Sequence, residues 1–179
     1  MRDNHFPHLL LGRKLRYNRN QRIRESIGDQ AGFNELFRLT FHPEALVAQR
    51  AMRAVMMVTK EHPEFLQAHA ELLLTLLKSP DHKEIRSMVI QLIPKVNLDP
   101  DQLERVWNLL RYHVLNQNEQ KTIRVHALQG LYALAHQQAT FAHELADTLD
   151  ALTHDLTPSI QAKVMKLRGL LRKAVKVNA

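Results

Sequence analysis

Eleven histidines are the side chains in this 179-residue sequence that most invite chemistry, and their spacing decides what they can do. A zinc-binding helix needs two histidines four residues apart, with a carboxylate to complete the set. His5 and His8 flank Phe6-Pro7, His62 and His69 are two helical turns apart, and His136 and His143 straddle an expected helix break. None of these forms such a pair, so the histidines are expected at surfaces and helix ends rather than around a metal. The sequence contains no Cys, which removes thiolate metal sites, a thiol nucleophile and a disulfide framework. It also lacks a glycine-rich phosphate loop, a nucleophile elbow and a kinase signature. Asp and Glu stand singly, as solvated residues do. No catalytic residue, cofactor or metal is assigned, and the chain is expected not to be an enzyme.

What remains is charge: 25 Lys and Arg against 18 Asp and Glu, a formal +7 that suggests an acidic partner. The elements that position these charges are ordinary globular ones, with 45% apolar and 24% charged residues. Five Gly and seven Pro are few for the length, so loops should be short. The apolar runs at 9–11 and 72–74 are far below the ~20 residues of a spanning helix. Basic residues follow the short N-terminal apolar patch rather than precede it, the reverse of a signal peptide. A cytoplasmic protein without membrane contact is expected.

The apolar residues repeat. Val47, Ile85, Ile123 and Ile160 are spaced 38, 38 and 37 residues apart. Four positions after each anchor stand Ala51, Val89, Ala127 and Val164, and five after stand Met52, Ile90, Leu128 and Met165. Eleven after stand Val58, Val96, Leu134 and Leu171. Eleven before stand Leu36, Leu74, Tyr112 and Leu149, and eight before stand Leu39, Leu77, Leu115 and Leu152. Steps of 4, 7 and 11 residues are near whole turns at 3.6 residues each, so each column set predicts one helical stripe. Each copy is therefore a pair of helices. The breaks within copies carry His42-Pro43-Glu44, Ser79-Pro80-Asp81, Asn116-Gln117-Asn118 and Thr157-Pro158. Pro94 should kink or stop the second helix of its copy. Arg168 replaces Val55, Ile93 and Leu131 in the last copy, as a polar cap on a terminal repeat.

The Ile85-Arg86 and Ile123-Arg124 pairs opening second helices, followed by aliphatics at this spacing, resemble HEAT and armadillo-like repeats. Val47-Ala48 and Ile160-Gln161 depart from the pair. The resemblance implies an all-α fold, a right-handed α-α superhelix (a HEAT/armadillo-like solenoid) of about four helix pairs plus an N-terminal capping helix. On this reading residues 1–28 are a basic arm and capping helix, and 29–179 hold four repeats of about 38 residues, at 29–62, 63–98, 99–137 and 138–179.

The second-helix segments 47–60, 85–96, 123–137 and 160–177 contain twelve Lys or Arg and no acid. The +7 thus divides into +5 on residues 1–28, +12 on these segments and −10 on the remainder. The resemblance places second helices on a concave binding face. Off the apolar stripe they present Arg50, Arg53, Met57 and Lys60; Met88, Gln91 and Lys95; His126, Gln129, Ala133 and His136; and Lys163, Lys166, Leu170 and Lys173. Cations at helix C-termini also complement the dipole, which accounts for Lys60, Lys95 and Lys173 but not Arg50, Arg53, Lys163 or Lys166. His126 and His136 are expected to add charge at slightly acidic pH. Arg13, Lys14, Arg16 and Arg19, with Tyr17 among them, form either a nucleic-acid arm or the solvated face of a capping helix. Trp107 is expected to pack between repeats.

Two functions fit. The first is a scaffold whose basic face holds an acidic protein or peptide, with Arg50, Arg53, Gln91, Lys95, His126, Gln129, His136, Lys163, Lys166 and Lys173 as contacts. The second is nucleic-acid binding through the same cations. The DNA-alkylation-repair glycosylases are similar in being HEAT-like with a basic concave face, but they need a carboxylate and aromatics in the cleft, and these segments carry no acid and no Trp. No small-molecule substrate is inferred.

Overall fold

A computed structural model of the protein describes residues 27–79 and 83–177. Among them are eight α-helices and no strand. The helices are α1 (Gln30–Arg38), α2 (Ala45–Val58), α3 (Ala70–Lys78), α4 (Lys83–Leu92), α5 (Pro100–Leu115), α6 (Lys121–Leu134), α7 (Ala139–Ala151) and α8 (Pro158–Val177). They form four consecutive pairs, each with a first helix and a second. The chain divides into two compact units, residues 1–97 and 98–179. The capping helix expected around residues 12–27 lies outside the described residues, apart from a buried Ile27.

Short polar and proline signals start the helices. Asp29 caps α1 by accepting from the Gly32 N–H at 2.8 Å. Asp99 and Gln102 close a capping box on α5, at 2.8 and 3.1 Å, with Pro100 just inside the helix. Such caps contribute about 1 kcal/mol each. Pro94 does stop its helix: α4 ends at Leu92 and continues as a 3-10 turn, Ile93–Lys95.

Most repeat columns are buried. The anchors Val47, Ile85, Ile123 and Ile160 are all in the core, as are the four residues that follow them by four. The first unit's core is aromatic around Phe33 and Phe37. In the second unit Trp107 on α5 stacks flat on Phe141 of α7, centroids 4.2 Å apart, and its indole N–H donates to Glu144 at 2.6 Å. This contact joins the first helices of successive pairs, as expected. Aromatic pairs of this kind add about 1 kcal/mol beyond their buried area.

Three column positions are corrected. Tyr112 and Leu115 are 61% and 41% exposed, while the buried stripe of α5 runs through Leu103, Val106, Trp107, Leu110, His113 and Val114. Periodicity holds within a helix, but the turn between two helices varies in length, so a constant offset from the second helix misses the stripe of the first. Met165 is 73% exposed, because no helix among the described residues covers it as α4 and α6 residues are covered. Arg168 serves the end of α7, donating to the Leu149 carbonyl, Asp150 and Thr153 at 3.1, 2.6 and 2.9 Å.

Candidate functional site

The second helices carry two kinds of cation. The residue after each anchor serves the turn of its own pair, where the last carbonyls of the first helix lack intrahelical partners. Arg86 donates to the Ser79 carbonyl at 3.2 Å. Arg124 donates to the Val114 carbonyl at 2.9 Å and forms a buried ion pair with Asp155. Gln161 does the same work uncharged, donating to the carbonyls of Leu152, Thr153 and Asp155 at 2.8, 3.2 and 2.7 Å. Ala48 cannot, and in that copy the Thr40 hydroxyl takes the Phe37 carbonyl at 2.7 Å. Burial pushes the Asp155 carboxyl up, but the hydrogen bonds from Arg124 and Thr157 outweigh it and hold the group below its ordinary value.

Arg86, Arg124 and Arg168 thus belong to the scaffold, and fewer than the twelve cations counted from sequence are left for any binding face.

The other cations stay at the surface. In the first unit Arg50 is half-buried on α2, with Arg53 exposed one turn on and Lys60 exposed in the turn that follows. Gln91 is half-buried on α4, its amide donating to the Ser87 carbonyl at 3.0 Å, and Lys95 is exposed in the 3-10 turn.

In the second unit the sequence-predicted residues meet across α6 and α8. The Lys163 ammonium donates to Gln129 Oε1 at 2.8 Å, and Lys166 lies one turn further along α8. Burial pushes the Lys163 ammonium below its ordinary value, and the charge of Lys166 pushes it further. Burial likewise lowers His126, and the Lys163 charge adds to the effect. Both effects run against the expectation that His126 gains charge at slightly acidic pH. His136 is exposed beyond the end of α6, set edge-on against Tyr132. Lys173 lies on α8. Arg13, Lys14, Arg16 and Arg19 lie outside the described residues.

His69 and His113 stand at helix ends, as expected, and both are buried. His69 stacks on Phe37 with ring centroids 4.1 Å apart, and His113 binds Glu119 at 2.8 Å. Their apolar neighbours in the α3 and α5 stripes were the signal that could have found them. Among the described residues no group of three or more His, Asp or Glu is placed to hold a metal ion, and no helix is long and apolar enough to cross a membrane.

No curated protein and no solved structure matches this chain. A family model described as a HEAT repeat domain matches residues 10–169. That match spans most of the sequence and agrees with four helix pairs and their shared buried columns: the chain belongs to the HEAT repeat family.

Proposed function

We propose that the chain is a non-enzymatic binding protein that holds an acidic protein segment against the cations of its second helices. The observation that carries this reading is the cluster of His126, Gln129, Lys163 and Lys166. Burial lowers His126 and Lys163, and the charge of Lys163 on the one and of Lys166 on the other adds to the effect, a repulsion that a carboxylate-bearing ligand would relieve. HEAT repeats suit extended partners, because stacked helix pairs present the same kind of surface repeatedly. The base-excision reading of the fold is less well supported. Trp107 is stacked on Phe141 in the core rather than free to meet a base, and Glu144 is tied to Trp107 with Arg111 3.6 Å away.

The double substitution Lys163→Glu, Lys166→Glu tests the site. Binding of a Glu-rich peptide should fall at least ~10-fold, because a like-charge contact replaces an attractive one. Helicity should be unchanged, since both side chains are at least partly exposed. An affinity equal to that of the unmodified protein would refute the assignment.

A further inference from the structure

The first unit carries a pocket of about 360 Å³ that is separate from the cations of α2 and α4. Asn34, Phe37, Arg38, Phe41, His69 and Leu72 line it. All six belong to the first helices of their pairs and the turns beside them, a region to which the sequence assigned no ligand.

The hydrogen-bonding character of this pocket follows from a chain of polar contacts that begins at a carbonyl. The Phe65 carbonyl oxygen can only accept, so the Gln30 side-chain atom 3.0 Å from it is the amide nitrogen. The same nitrogen donates to Asn34 at 2.8 Å, which fixes the Asn34 atom there as Oδ1. That oxygen also lies 2.8 Å from His69 Nε2, so the imidazole carries its proton on Nε2. Burial lowers the His69 pKa, in keeping with a neutral ring. With Oδ1 doubly occupied, what Asn34 has left for a ligand is its N–H donors.

Arg38 supplies more donors. It is exposed and makes no ion pair among the described residues. Among the described residues no carboxylate lines the pocket. Phe41 and Leu72 provide apolar walls, Leu72 while 44% exposed, over the fully buried Phe37. The volume is near the lower end of the roughly 300–1,000 Å³ of small-molecule sites, which suits one or two rings. The planar guanidinium matches a carboxylate in two-point geometry.

From these features we infer that the pocket binds a small aromatic carboxylic acid, its ring against Phe41 and Leu72 and its carboxylate on Arg38 and the Asn34 amide.

The test is a titration of the full chain with 2-naphthoate and, separately, with the neutral 2-naphthylmethanol, followed by backbone amide shifts and calorimetry. The acid should move the resonances of Asn34, Phe41 and Leu72 and bind at least ~10-fold more tightly than the alcohol. Arg38→Gln should abolish that preference, and its exposure makes misfolding an unlikely confounder that the melting curve checks directly. Equal affinity for acid and alcohol would overturn the inference without any substitution. So would a preference that survives Arg38→Gln. Shifts confined to Lys163, Lys166 and their neighbours would also overturn it, while leaving the basic face of the second helices intact as a separate anion site.

Discussion

Arg124 and Lys163 carry the same formal charge on helices that pack together, yet their surroundings give them different work. Arg124 is buried with Asp155, so removing one partner leaves an uncompensated charge in the core. Arg124→Ala should cost about 3–5 kcal/mol in urea unfolding, whereas Lys163→Ala should stay within about 0.5 kcal/mol. The double change Arg124→Met, Asp155→Leu should recover most of the loss; if it is no more stable than Arg124→Ala, the buried pair is not what Arg124 supplies. The histidines set a pH dependence. His69 and His126 both have folded pKa values below the ordinary 6.5, so the unfolded chain binds more protons as pH falls past that value. Stability should therefore fall between neutral pH and about pH 5.5, where Asp155 is still ionised. His69→Phe and His126→Gln should each flatten the decline in urea midpoint. A midpoint that rises on acidification would contradict the assigned shifts.

At the scale of elements, each helix is specified by its own stripe, and the turn decides how two stripes meet. Leu110 is fully buried on α5 and Tyr112, two residues on, is mostly exposed. Leu110→Ala should cost about 2–5 kcal/mol, and Tyr112→Ala no more than about 0.5 kcal/mol. Thermal melts of the two variants check this, and equal losses would restore Tyr112 to the core. The contrast also explains what the sequence could disclose. Helix existence, order and most of the core were legible, because periodicity at 3.6 residues is a local property. The α5 stripe was not, since the offset was carried across a turn. The Arg124–Asp155 pair was not legible either, because its partners are 31 residues apart and nothing local marks them. The Asn34–His69 contact that defines the aromatic-acid pocket spans 35 residues and was equally invisible. The Gln129, Lys163 and Lys166 placement was legible, because all three follow the same offsets from their anchors.

For the whole molecule, net charge matters less than where it is free. The +7 conceals +12 on the second-helix segments, and of those cations Arg86, Arg124 and Arg168 are committed to turns and caps. The cations left at the surface among the described side chains, the lowered Lys163 among them, are what an anionic partner would meet. Carboxylates and phosphates both satisfy that potential, but they differ in how binding responds to salt. A protein that neutralises several duplex phosphates releases their counterions, so its affinity falls with a steep log–log slope. The deciding measurement is affinity for a Glu-rich peptide and for a random DNA duplex, each titrated from low salt to about 0.15 M. The acidic-segment reading predicts that the peptide binds more tightly at the higher salt and that Lys163→Glu, Lys166→Glu weakens it. Tighter binding of the duplex, with a slope of several phosphates and the same sensitivity to the double substitution, would contradict it and make nucleic acid the ligand.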